Sequence, residues 1–376
     1  MNNNLIIVVL VSAVFYGTPY FFAALGELIT ERSGVLNLGV EGMMLIGGVS
    51  ASWASQHLGG PSWLIVLLSI LIGASASGLV ALLHGFLCIT LRVNQTVAGL
   101  AITIFAGGLG LSSYFASVWN VATKPTTHPI NRLNVLGLAD KPIVGPILFN
   151  QNILTYASWV LCVVASVYLF RTRIGLQLRA VGESPQTADA MGINVVRYRY
   201  VHTVIGGLLA GVGGVYYSLA IVPTWVDGMT KGAGWIAIAL VIFGFWRPGL
   251  TLVGAYLFGA FSSLSVTLQS RHVSINADLL NALPFLATIV ILVVLSSGWA
   301  KKRLGAPASL GVPYERLAVA DAERLFPSLG GDDLTGVLYE PEAGLIRARR
   351  ATRALAASVP LTIARVRPDD PPAADV

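Results

Sequence analysis

The sequence predicts an all-α, polytopic integral membrane protein with eight to nine transmembrane helices and a mostly unstructured C-terminal tail. Three observations carry that reading. Of 376 residues 55% are hydrophobic and only 11% charged, where a soluble domain averages roughly 25% charged. Apolar runs long enough to cross a bilayer recur almost to residue 300. Of the 18 acidic residues, 8 precede residue 301 and 10 fall in the last 76 positions, so body and tail are different materials.

A span needs about 20 mostly apolar residues. That template fits 5–26, 36–56, 63–90, 95–117, 152–170, 201–222, 233–246, 249–269 and 282–299. The first run follows "MNNN", with no basic region before it and more apolar length than a signal peptide needs, so it is expected to remain as the first helix. Two runs are doubtful. The segment 36–56 is rich in glycine and carries Glu41, and 233–246 is short and ends in Trp246, Arg247, Pro248 and Gly249. Either fits a re-entrant or broken helix, which is tolerated only where the backbone is buried or lines a cavity.

If spans alternate, Arg92, the five arginines between 171 and 200, Arg247, Lys301, Lys302 and Arg303 share one side. The positive-inside bias makes that side cytoplasmic, and the C-terminus with it. Basic residues placed beside apolar runs set orientation, so the net charge of +6 is not read as nucleic-acid binding. The chain divides into a membrane domain, 1–303, and a tail, 304–376. Within the tail "AGLIRARRATRALAAS" suits a short basic helix at a membrane surface, and "RPDDPPAADV" is disordered by composition.

Several chemistries are excluded. None of the five lysines stands in a phosphate-cradling Gly-Lys-Ser/Thr context, and there is no HExxH or GxSxG. Cys88 and Cys162 sit in apolar runs without metal spacing. No catalytic residue, metal or cofactor is expected, and the chain is not read as an enzyme.

Carboxylates inside apolar runs are costly and therefore informative. Glu41 is the deepest, and Asn37, four residues earlier, would share its helical face. A structural hydrogen bond between them ranks ahead of a proton relay. In "GESPQTADAMGI", Ser184 suits an N-cap, Pro185 the first helical position and Gly192 the left-handed position past the end. These residues write a short helix, Pro185 to Met191, on the cytoplasmic side. Arginines flank it, with Ile174, Leu176 and Leu178 expected to dip into the lipid interface.

The stretch "GLQLRAVGESPQTADAMGINVVRYRY" followed by "GGLLAGVGGVYYSL" resembles the cytoplasmic coupling loop, here 171–200, of ABC importer permeases. The branch is the one that serves branched-chain amino acids, ribose-type sugars and nucleosides. "ERSGVLNLGVEGMMLIGG" is similar to nucleoside and simple-sugar permeases that work with a basic-membrane-protein type lipoprotein. "LRVNQTVAGLAITIFAGGLG", "GAGWIAIALVIFGFWRPG" and "APASLGVPYER" extend the likeness to about residue 316; the last sixty residues depart from it.

The resemblance implies a permease subunit in the cell membrane that pairs with a related second permease, an ABC ATPase subunit and an extracytoplasmic substrate-binding lipoprotein. Nucleosides are the expected substrate, with simple sugars or branched-chain amino acids as alternatives. It implies coupling residues Arg179, Gly182, Glu183, Ser184, Pro185, Ala188 and Gly192. It also implies a pathway between two permeases, with Asn37, Glu41, Asn94, Gln95 and Trp235 on the matching segments. A proton-coupled secondary transporter working through Glu41 is the rival from another class.

Overall fold

The structure is a computed structural model that describes residues 2–107, 110–141, 144–270, 282, 284–290, 293, 306–312, 315–317, 334–340 and 345–350. Its helices are α1 (Asn2–Glu31), α2 (Val40–His57), α3 (Ser62–Gly85), α4 (Gln95–Ala106), α5 (Leu111–Val118) and α6 (Ile153–Arg171). They continue with α7 (Arg173–Glu183), α8 (Pro185–Ala190), α9 (Val195–Tyr216), α10 (Ala233–Phe243) and α11 (Pro248–Ser270). Short π-helical turns, Phe86–Thr90 and Tyr217–Ile221, prolong α3 and α9.

Five stretches among the described residues are long and apolar enough to cross a membrane: Ile7–Glu31, Ser62–Thr90, Gln95–Val118, Ile153–Arg171 and Val195–Ile221. Half of the run expected at 282–299 lies outside the described residues. Two other expectations change in kind. The run 95–117 keeps its span length but is described as two helices, α4 and α5. Gly107 is extended there, and a Cβ on Gly110 would stand 2.0 Å from the Phe105 carbonyl oxygen. The run 233–246 becomes α10, whose 11 residues reach about 16 Å at 1.5 Å per residue, roughly half a hydrocarbon core.

At the centre of the bundle α9 packs against α1, α2 and α3. Glycines set how closely it can lie. A Cβ on Gly206 would sit 2.0 Å from Thr30 Oγ1 in α1, and one on Gly214 would sit 1.8 Å from the Met44 carbonyl oxygen in α2. Small residues give the backbone-to-backbone approach that membrane helices use where lipid supplies no hydrophobic drive. Phe21, Phe22, Leu25, Met43, Met44 and Tyr216 fill the space between. Asn152 Nδ2 donates to the Tyr216 hydroxyl at 2.7 Å, so the buried phenol that ties α6 to α9 is satisfied.

The perimeter is apolar. Ile104 is 76% exposed and Val253 is 64% exposed, with Leu71, Leu79, Val160 and Val163 also outward. Faces this oily are stable against acyl chains and not against water.

The ends of the bundle differ. One carries Arg32, whose charged neighbours include Arg179 of α7 and Arg247, with Arg171 at the end of α6 leading into α7 and Arg199 near the start of α9; it is called the basic end below. At the other, strands β1 (Arg132–Asn134) and β2 (Asn150–Asn152) pair antiparallel. There the Thr126 amide donates to the Pro223 carbonyl and Gln56 Nε2 to the Lys124 carbonyl.

The described residues of the tail include strands. Strands β3 (Glu315–Leu317), β4 (Leu334–Glu340) and β5 (Leu345–Arg350) form an antiparallel sheet in that order. Residues 345–350, expected in a basic helix, are strand.

Candidate functional site

At the basic end three helices follow one another with almost no linker, and each starts on a polar cap. Thr172 Oγ1 accepts from the Gly175 amide at 3.0 Å, Ser184 Oγ from the Thr187 amide at 3.4 Å, and Asn194 Oδ1 from the Arg197 amide at 2.9 Å. Each cap satisfies an amide that the first helical turn leaves unbonded. Pro185 opens α8, and Gly192 turns the chain with φ +84°, as its residue types require.

The buried stripe of α7 is Gly175, Leu178, Val181 and Gly182, a spacing of three and four residues. Leu178 therefore faces the core, against the expectation that it dips into lipid, while Ile174 and Leu176 are exposed. The same division splits the expected coupling residues. Gly182, Pro185 and Ala188 face inward, with Ala188 packed against Val181 and Val195. Glu183 and Gly192 face outward, and so does Met191, which the sequence reading missed and which is 78% exposed. Arg179 is half-buried with its guanidinium 5.3 Å from the Phe170 ring centroid. It lines a cleft of about 280 Å³ with Arg32, Leu176, Ala180, Glu183 and Pro307.

This knob is fastened from behind. The Ser309 amide and hydroxyl both donate to the Gly182 carbonyl, at 3.0 and 2.6 Å. A Cβ on Gly182 would stand 2.3 Å from the Arg32 carbonyl oxygen, so only glycine allows α7 to lie against the end of α1. Arg32 in turn donates through Nη2 to the Trp246 carbonyl at 3.0 Å, and Trp246 Nε1 donates to Glu31 Oε2 at 2.5 Å. Burial, followed by the neighbouring charge of Arg179, lowers the Arg32 pKa to about 10; the guanidinium remains charged at neutral pH. Residues 182, 309, 32, 31 and 246 thus form one continuous chain of contacts from the knob to the turn between α10 and α11.

The other end of α10 is anchored by Glu41. Its Oε1 accepts from Thr230 Oγ1 at 2.6 Å and from the Gly232 amide at 2.9 Å, and its Oε2 accepts from the Gly234 amide at 2.6 Å. A carboxylate here is favoured because it lies in the first turn of α2 and against the first turn of α10. The expected Asn37 to Glu41 bond does not form. The helix begins only at Val40, so the two residues do not share a helical face. Asn37 instead donates its amide to Glu27 Oε1 at 3.0 Å and accepts from the Gly39 amide at 3.0 Å.

The remaining expected pathway residues are dispersed. Gln95 is buried, and its Oε1 accepts from the Leu36 amide at 2.6 Å. Asn94 is exposed and caps α4 through the Val97 amide. Trp235 stands on the exposed side of α10, at 39% exposure. The structure brings Asn37 and Gln95 to one loop, 35–39, while Glu41 and Trp235 lie on different sides of the start of α10. Thr230, Gly232 and Gly234 carried no sequence signal beyond the glycines of "KGAGW".

The family model described as "Branched-chain amino acid transport system / permease component" matches residues 9–295. TsgC13 of Haloferax volcanii, provisionally named a glucose ABC transporter permease, is 37% identical, over 80% of this chain and 94% of its own. The Bacillus subtilis guanosine ABC transporter permease protein NupQ is 33% identical over 82% of this chain and 96% of its own. The Lactococcus lactis nucleoside ABC transporter permease protein NupC is 33% identical over 77% and 92%.

Proposed function

The chain belongs to the family of branched-chain amino acid transport system permease components, and from that premise we propose that it is the permease subunit of an ABC importer for nucleosides. The observation that carries this reading is the tie from the α7–α8 knob, where Gly182 lies on the Arg32 carbonyl, through Arg32 and Trp246 to α10, whose far end Glu41 holds inside the bundle. A push on the knob from outside the membrane therefore reaches a short helix within it.

In this reading the basic end is cytoplasmic, and a separate ATPase subunit docks on the outward residues Glu183, Met191 and Gly192. Arg179, Gly182, Ser184, Pro185 and Ala188 shape and hold the knob. ATP hydrolysis belongs to that partner. A related second permease completes the pathway, and an extracytoplasmic lipoprotein delivers the substrate. Nucleosides rank first because two relatives named for guanosine and nucleoside transport match most of the chain; the glucose name of a third makes simple sugars the alternative. Glu41 acts as an anchor. Two backbone amides and a hydroxyl already point at it, which supports a fixed acceptor over a proton carrier.

The test is reconstitution of the whole importer in liposomes with labelled guanosine, glucose and leucine. ATP-dependent guanosine uptake is expected. Uptake driven by a pH gradient without ATP would overturn the reading in favour of a secondary transporter.

A further inference from the structure

After the π-helical turn that prolongs α9 the chain reaches the β1–β2 end, where Pro223 meets Thr126, and returns along the bundle to Glu41 and α10. Trp225 is buried with its ring against Gly48, a Cβ on which would lie 3.3 Å from it, and Thr230 bonds Glu41. A Cβ on Gly48 would lie 3.2 Å from the Gly214 carbonyl oxygen, one on Gly73 2.6 Å from the Gly47 carbonyl oxygen, and one on Gly42 2.9 Å from the Ile102 carbonyl oxygen, so α2 lies against the spans Val195–Ile221, Ser62–Thr90 and Gln95–Val118. Trp225, held on Gly48, and Thr230, held on Glu41, therefore lie alongside membrane spans, between their ends.

On that segment Asp227 and Lys231 are exposed, and so is Trp235 one turn further on. A carboxylate and an ammonium at this depth do not face acyl chains, because each would cost several kcal/mol there. They face water. Asp227 is held in place, its Oδ1 accepting from Trp225 Nε1 at 3.1 Å and from Ser113 Oγ at 2.9 Å. Beside it the Phe285 and Trp235 rings close on Gly232, where a Cβ would lie 3.3 Å from the one and 3.8 Å from the other.

We propose that Asp227, Lys231 and Trp235, with Phe285, form the substrate-contacting strip of the translocation pathway, and that it takes a neutral ligand combining a flat ring with hydroxyl groups. Asp227 accepts from the hydroxyls, Lys231 donates to ring or sugar oxygens, and the two aromatic rings pack against the planar part, as bases do on aromatic side chains. The choice of ligand rests on the nucleoside reading above; the placement of the strip in water does not.

The experiment keeps the two apart. In the assembled importer Asp227→Cys, Lys231→Cys and Trp235→Cys are treated with a water-soluble, membrane-impermeant maleimide, with and without ATP. Ile104→Cys and Val253→Cys serve as lipid-facing controls. Cys88 and Cys162 are buried, so the parent protein gives the blank. The strip positions are expected to label and the controls not to, and excess guanosine is expected to slow labelling. Failure of all three strip positions to label in either state overturns the strip even if guanosine is transported. Labelling slowed by glucose or leucine and not by guanosine overturns the ligand class. In uptake assays Trp235→Ala is expected to raise KM for guanosine about tenfold, the equivalent of one lost stacking contact, and Trp235→Phe to restore most of it. An unchanged KM in Trp235→Ala overturns the contact.

Discussion

The indole of Trp246 donates to the carboxylate of Glu31 at 2.5 Å, across 215 positions of sequence, and joins the end of α1 to the turn between α10 and α11. Phe245 and Trp246 both have positive φ, 52° and 53°, a backbone state that bulky residues seldom adopt. The turn is held there by the indole bond, by Arg32 on the Trp246 carbonyl and by the proline that begins α11.

Trp246→Phe keeps the aromatic bulk and removes the donor, leaving a buried carboxylate oxygen with one partner fewer. The cost is expected to be about 1–3 kcal/mol. If the turn transmits force, the substrate moved per ATP hydrolysed falls while the ATPase still co-purifies. A normal transport-to-hydrolysis ratio in Trp246→Phe would remove this turn from the coupling route.

Glu41→Gln replaces one acceptor oxygen by an NH2 group, which must then face the donors on Thr230 and Gly232 or the one on Gly234. A destabilisation of about 1–3 kcal/mol is expected, visible as a lower melting temperature in detergent, with Glu41→Ala lower still. Residual uptake in Glu41→Gln should keep its ATP requirement and its pH profile. Loss of a pH dependence present in the parent protein would restore Glu41 as a proton carrier.

Met191→Asp is expected to leave the melting temperature unchanged, because the side chain is exposed and surface substitutions usually alter stability by less than about 0.5 kcal/mol. Its effect should appear in the complex. Loss of an apolar anchor worth about 2 kcal/mol, as at an interface hot spot, weakens ATPase binding about thirtyfold, measurable by titrating the ATPase onto the permease in nanodiscs. Ala188→Leu should behave in the opposite order, lowering stability first, since Ala188 packs inward against Val181 and Val195.

Gly182→Ala puts a methyl group 2.3 Å from the Arg32 carbonyl oxygen, so α7 must move away from α1, at an expected cost of about 1–3 kcal/mol. Ser309→Ala removes the hydroxyl that bonds the same peptide group, at about 1 kcal/mol. The two losses are expected to be non-additive in a double-mutant cycle, because both loosen one contact. Strict additivity of the melting shifts would show that residues 306–312 do not hold the knob.

Much of this protein was legible before its structure. The membrane class followed from scarce charge and span-length apolar runs, and the knob followed from Ser184, Pro185 and Gly192, because capping depends on residues two to four positions apart. Those are local effects, and sequence distance measures them directly. Sequence also raised the doubt about 233–246, since 11 to 14 apolar residues are too few to cross a bilayer.

What only the tertiary structure decided lies in contacts between distant segments. Glu41 and Asn37 looked like partners because four residues separate them, but the helix starts too late to align them, and the carboxylate turns to amides about 190 positions away. Likewise the inward side of α8, the clasp of Ser309 on Gly182, and the depth of Asp227 and Lys231 depend on which helices pack together. Hydrophobic pattern fixes which segments enter a membrane. It is indifferent to their neighbours there, because in lipid the choice of neighbour is made by shape, close glycine contacts and the pairing of buried polar groups.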